Sequence, residues 1–320
     1  MNKIEKKASE ARSEIVKHLP RACMEEAAAV EFLERQRWGG EPFCPHCGCI
    51  GGVKQLKDHG TDQRNKRFLW WCPDCGKQFT VRVGTVFEDS RIPLRHWCFA
   101  FWASCASKKG VSAKQIQRQC QISYKSALFL MHRIRFAMTE PEGARKLQGT
   151  VEADETYNGG KPRIKGISKH GRGTSKQPVM AIVQRNGKVR TRVVANVSSK
   201  ILKGAIREEV SKSARIMTDD LSSYHGLGKE FSGGHETVNH TAGEYVRGDA
   251  FTNTAESFFA LLKRGIHGTF HSVSRKHLHR YLGEFGFRWN TRKNSDGERV
   301  RKAITGAEGK RLMYREPKVA

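Results

Sequence analysis

Three acids and four cysteines are the residues of this 320-residue chain whose types and spacing carry chemistry. Asp154 lies in Val151-Glu-Ala-Asp-Glu-Thr156, within a predicted strand. Asp219 directly follows a second predicted strand that ends at Thr218. Glu256 opens a predicted helix, with Lys263 seven residues on and so on the same helical face. Carboxylates that converge from two strand ends and a helix can hold two divalent cations roughly 3.5–4 Å apart, the requirement of two-metal phosphoryl transfer. Mg²⁺ (or Mn²⁺) is the expected ion, and a lysine further along the helix can hold a nucleic-acid strand. Each acid also has a plainer use. Glu152 or Glu155 can take the place of Asp154, Asp219 or Asp220 can be a turn residue, and Asn253-x-x-Glu256 fits a capping box.

The cysteines form two matched knuckles, Cys44-Pro-His-Cys47-Gly and Cys72-Pro-Asp-Cys75-Gly, separated by 24 residues. Two CxxC turns supply four thiolates for a tetrahedral, structural Zn²⁺. Cys49 and His46 are nearby substitutes, and a pair of redox disulfides is the alternative. Lys66, Arg67, Lys77 and Arg82 interleave with Phe68, Trp70, Trp71 and Phe79, a pattern that suits nucleic acid as well as core packing.

The elements that must position these residues fall into five segments. Residues 1–40 read as helical, clearest over 25–37, and Trp38-Gly-Gly-Glu-Pro42 breaks the helix. Residues 41–82 form the ribbon. Residues 83–145 read as all-helical, and the pair 112–119 and 124–138 is helix-turn-helix-like, with Lys125, His132, Arg133 and Arg135 available to DNA. From 146 to 293 the pattern is mixed. Strands are predicted at 150–157, 179–184, 188–197 and 215–218, with a hairpin turn at Arg185-Asn-Gly187. Helices are predicted at 201–213, 253–264 and 274–290. Residues 161–176, with six Lys or Arg, three Gly and no acid, read as a basic loop, and 294–320 as a basic tail.

Composition points the same way. Lys and Arg number 58 against 32 Asp and Glu, a formal charge of +26, which predicts attraction to polyanions such as DNA. The excess is local: residues 1–43 carry eight basic and eight acidic side chains, whereas 261–320 carry 15 and five. No signal peptide and no apolar run long enough to span a bilayer are evident, the longest being the ten residues 97–106. A cytoplasmic, nucleoid-associated protein is expected, and no membrane partner.

Taken together, these motifs resemble bacterial insertion-sequence transposases of the DDE type, in the ISXO-like subgroup with an N-terminal zinc ribbon. The resemblance covers about residues 40 to 292. It rests on CPHCG, CPDCGKQFTVRVGTVFEDSRIPL, VEADETYNGG and TDDLSSY, and above all on TNTAESFFALLKRGIHGTFHSVSRKHLHRYLGEFGFRWNTR. It implies an α+β multidomain chain: a zinc ribbon, a helical linker and a ribonuclease H-like α/β catalytic domain. It implies cleavage of double-stranded DNA at element ends and joining of the freed 3′-hydroxyl to target DNA. Asp154 and Asp219 match the first two acidic positions. The subgroup carries Asn, Glu or His at the third, followed by Lys. Both Asn253 and Glu256 are available; Glu256 is preferred for its spacing to Lys263 and because a carboxylate binds a hard cation better. Pairing two element ends requires at least a homodimer.

Two other classes are compatible with these residues: a nuclease of the same fold that cuts without joining, and a zinc-ribbon DNA-binding regulator whose catalytic domain is dead. A metalloprotease is not favoured. His235 and His240 are five apart, where a helical zinc site needs four.

Overall fold

The computed structural model describes residues 15, 17–141, 143–160, 176–239, 242–244 and 246–313, so the expected basic loop, Lys176 apart, lies outside the described residues. The chain divides into two compact units, Met1–Met138 with Asn294–Ala320, and Thr139–Lys293.

In the first unit the Ala-rich run forms α1 (Glu26–Trp38), which ends where Gly39 adopts a φ of 63°. Strands β1 (Lys54–Gln55), β2 (Trp70–Trp71) and β3 (Gln78–Phe79) pair antiparallel. A sheet this small cannot bury a core alone, so it borrows one. Trp38 of α1 packs edge-on against Trp70 at 5.6 Å and Phe79 at 6.2 Å. Glu34 accepts hydrogen bonds from Arg64 and from the Trp70 indole. Two of the ribbon aromatics expected to meet nucleic acid therefore pack inward. Arg82 likewise turns in and donates to the Ser90 and Ile92 carbonyls, while Lys66, Arg67 and Lys77 stay exposed.

Helices α2 (Leu94–Ala106), α3 (Ala113–Cys120) and α4 (Tyr124–Ala137) follow. The Ser112 and Ser123 side chains cap α3 and α4, and Gln121, at φ 54°, makes the turn between them. Of the four basic residues expected to face DNA from α4, only Lys125 is exposed; His132, Arg133 and Arg135 are buried. The second half of α4 is enclosed on every side, and its Arg133 is spent on the carbonyls of Val86, Glu88 and Leu312.

The second unit is a five-stranded sheet of order β6-β5-β4-β7-β8. Its strands are β4 (Thr150–Asn158), β5 (Gln177–Gln184), β6 (Val189–Val193), β7 (Arg215–Asp219) and β8 (His235–Val238). β5 pairs antiparallel with both β4 and β6, while β7 is parallel to β4 and β8 to β7. The helices are α5 (Ser199–Glu209), α6 (Asn253–Gly265) and α7 (Leu278–Asn290). One sheet face, through Val151, Ala153 and Ile216, packs on α5 residues Leu202 and Ile206. The other, through Val179, Ala181 and Val183, packs on Phe258, Leu262 and Phe285 of α6 and α7. A central strand covered on both faces has no solvent side, which is why β5 reads as an apolar run.

The segment expected as a tail returns to the first unit. Ser295 and Glu298 form a capping box for α8 (Asp296–Thr305), which buries Val300, Ala303 and Ile304. Arg37 pairs with Glu308, and Arg299 donates to the Cys105 carbonyl at 2.7 Å. Counting charge hides this, because the apolar residues 300, 303 and 304 lie on one face of an otherwise basic helix. Ile304→Ala is expected to destabilise the first unit by about 2–4 kcal/mol in denaturant unfolding. A solvated tail would show less than about 0.5 kcal/mol.

Candidate active site and metal centre

The parallel pairing of β4 with β7 sets Thr150 beside Arg215 and Glu152 beside Met217. Continuing the same offset brings Asp154 level with Asp219 on the adjacent strand. Side chains alternate along a strand, so Glu152 and Asp154 share one face. On β5, Asp154 pairs with Ala181 and Glu152 with Val183, residues that pack on α6 and α7. Both aspartates thus lie on the α6 side of the sheet.

Glu152 fixes where α6 begins. It is fully buried, and its carboxylate accepts from the amides of Thr254 and Ala255 at 2.8 and 3.0 Å and from the Thr254 hydroxyl at 2.8 Å. Arg185 pairs with it at 2.7 Å, donates to the carbonyls of Asp249 and Phe251, and lies 3.6 Å from the Phe251 ring centroid. A carboxylate at a helix N-terminus satisfies amides that the helix cannot. Sequence alone left Glu152 as a substitute for Asp154 and Arg185 as a turn residue. The alternation of strand side chains, Glu152 and Asp154 two apart, is the signal that both face the helix.

Glu256 is exposed in the first turn of α6. Its charge still reaches the sheet. Asp154 is raised from 3.8 to about 8, first by burial, then by the charges of Glu155, Asp219 and Glu256, against the pull of the Glu155 amide. That amide donates to Asp154 at 2.7 Å. Glu155 in turn accepts from the buried Tyr224 hydroxyl at 2.7 Å, and burial with that carboxylate beside it pushes the Tyr224 phenol well up. Asp154, Asp219 and Glu256 are thus brought into one electrostatic field. They are not drawn within 4.8 Å of one another; among the described residues the cysteine cluster alone is that tight. Three carboxylates repel, and closing them further needs protons or a cation. Hard carboxylate oxygens around an acid held near neutrality fit a divalent metal. Lys263 is exposed seven residues beyond Glu256, about 10 Å along the helix. Asn253 is exposed at the first position of α6.

The four cysteines do converge. Cys44 and Cys75 sulfurs lie 3.7 Å apart, and Cys47 and Cys72 3.5 Å. A Zn–S bond of about 2.3 Å in a tetrahedron requires a sulfur separation of about 3.8 Å. Each knuckle closes alike: Gly48 donates to the Cys44 carbonyl and Gly76 to that of Cys72, both at 2.9 Å. Gly48 and Gly76 have φ of 80° and 67°, which a side chain would strain. Burial pushes the Cys72 thiol up, but the amides of Cys75 and Asp74 and the neighbouring thiols hold it at about 7. Cys49 and His46 stay outside the cluster.

Comparison with known proteins bears on both centres. Residues 146–290 match the ISXO2-like transposase domain, and residues 24–78 the transposase zinc-ribbon domain. The chain is also similar to an uncharacterised protein in transposable element ISH50 of Halobacterium salinarum. The two are 29% identical over 276 residues, 82% of this chain and 90% of the other.

A raised carboxylate has a testable sign. The folded chain holds the Asp154 proton more tightly than the unfolded chain from pH 3.8 to about 8, so stability falls as pH rises through that window. Asp154→Asn is expected to stabilise the metal-free protein at pH 9 by roughly 1–3 kcal/mol, allowing for screening at a partly exposed group. At pH 4 it should change little. Thermal unfolding of both proteins at the two pH values checks this; equal stability at pH 9 would remove the electrostatic coupling.

Proposed function

Given that the chain belongs to the ISXO2-like insertion-sequence transposases, with a transposase zinc ribbon ahead of the transposase domain, we propose that it cuts double-stranded DNA at element ends and joins the freed 3′-hydroxyl to target DNA. The observation that carries this reading is the parallel β4–β7 register, which sets Glu152 beside Met217 and, continued two residues, brings Asp154 level with Asp219 on the side of the sheet that packs against the helix bearing Glu256. The strand order, three antiparallel strands followed by two parallel ones, supports a ribonuclease H-like fold for the second unit.

Bound Mg²⁺ (or Mn²⁺) would supply an activated water or 3′-hydroxyl and neutralise charge on the leaving oxygen. The chain's own residues do the rest. Asp154 and Asp219 offer the first oxygen ligands from a rigid sheet, and Glu256 offers another from α6. Glu152 and Arg185 hold α6 in place while this happens. Lys263 meets the phosphate backbone further along the helix. In the first reaction water attacks the phosphodiester at the element end and a 3′-hydroxyl leaves. In the second that hydroxyl attacks a target phosphodiester, and the target's own 3′ oxygen leaves. Catalysis of this kind is positioning and electrostatics. The four cysteines hold a structural Zn²⁺ that pins the ribbon. Two ends joined in one complex require at least a dimer. Among the described residues no helix is long and apolar enough to cross a membrane, and the reading places the protein at the nucleoid in the cytoplasm.

The test is strand transfer from duplexes bearing the terminal inverted repeats into a supercoiled plasmid, with Mg²⁺. Asp154→Asn and Asp219→Asn should each lower joining by about 10³-fold, the effect of losing several kcal/mol of transition-state stabilisation. Glu256→Gln should fall similarly and Asn253→Ala only slightly; the reverse order would move the third position to Asn253. Cutting without joined product would make the protein a nuclease. Binding without either, equal in wild type and variants, would make it a regulator.

A further inference from the structure

From Ser257 to Gly283 the chain has no Asp or Glu, but five Lys or Arg and four His. Elsewhere in the second unit several arginines are neutralised. Arg192 pairs with Glu208 and Glu209, Arg207 with Glu230, and Arg215 with Glu236 and Asp249. Lys263, Arg264, His267 and Lys276 are exposed, and none makes an ion pair among the described residues. They follow Glu256 along α6 and around the corner towards α7.

That corner has an unusual backbone. α6 runs into a π-helical turn, Ile266–Phe270, and the chain then reverses at His271, with φ 59° and ψ −44°. The Ser272 amide donates to the Phe270 carbonyl at 2.6 Å, closing a three-residue turn of the rare, strained hand. A glycine would suit this position, yet an exposed histidine occupies it. The turn is anchored, because Phe270 packs against Tyr281 at 4.9 Å and Phe285 at 6.3 Å. A firmly held, strained turn that displays unneutralised basic side chains is the kind of feature kept for contact with a ligand.

We infer that the corner between α6 and α7, through Arg264, His267, His271 and Lys276, grips the phosphate backbone of DNA on its way to the Asp154–Asp219 carboxylates. This rests on the proposed function for its direction, but the grip itself needs no catalysis. Phosphate contacts release counterions, so each one steepens the salt dependence of binding irrespective of sequence.

The experiment uses the full-length, zinc-loaded protein and a fluorescent random-sequence 30-base-pair duplex, without added Mg²⁺, so binding is read apart from cutting. Arg264→Gln with Lys276→Gln should weaken binding about tenfold at 0.1 M salt and lower the slope of log K against log salt by about 2. The control removes equal charge at the exposed Lys212 and Lys229, away from α6, and should leave the slope unchanged. His271→Gly should raise the melting temperature by relieving the turn, yet weaken DNA binding several-fold. An unchanged slope in the double variant, or an equal drop in the control, would overturn the inference. So would a more stable His271→Gly protein with undiminished affinity. A failure of joining in the strand-transfer assay would leave these binding results standing.

Discussion

A buried carboxylate must be compensated, and the way Glu152 is compensated sets the geometry of the second unit. Its oxygens are shared between Arg185 and the first amides of α6. Removing one partner of such a pair costs several kcal/mol, because the other is left charged and dry. The result is a helix start tied directly to the central strand, two residues from Asp154. Glu256 then lies where its charge is felt at Asp154, although it sits on the exposed side of the helix. The sheet supplies two acids, the clamp supplies the helix, and the helix supplies the third acid and the lysine beyond it.

The distribution of charge follows a division of labour. A chain of formal charge +26 uses many arginines as internal fasteners. Arg133 and Arg82 bind carbonyls, Arg64 and Arg185 bind buried or half-buried glutamates, and Arg37 ties the C-terminal helix segment to the ribbon. Net charge therefore overstates the surface offered to DNA. Among the described residues, the α6–α7 corner is one place where basic side chains stay exposed and make no ion pair.

Much of this was legible in the residues. Apolar alternation and turn chemistry give every strand from β4 to β7 and the helices α6 and α7 within a few residues, and the CxxC spacing alone identifies the cysteine cluster. Asp154 lies midway along β4, Asp219 ends β7 and Glu256 stands in the first turn of α6, so the order of the three acids follows the order of these elements. The rest was hidden for physical reasons. Burial of His132, Arg133 and Arg135 depends on what packs around α4, which helical periodicity does not contain. The return of residues 294–313 to the first unit depends on contacts with residues more than 150 positions away. The clamp at Glu152 joins residues about 100 apart, and nothing local marks a glutamate as a helix cap for a distant helix.

The central claim is that Asp154, Asp219 and Glu256 together hold divalent cations. Crystals grown with Mn²⁺ and duplex DNA, measured at the manganese absorption edge, address it directly. The account predicts two anomalous peaks roughly 3.5–4 Å apart, with Asp154 and Asp219 as ligands and Glu256 drawn in to one of them. Manganese bound elsewhere, or no manganese between Asp154 and Asp219 with DNA in place, would contradict it.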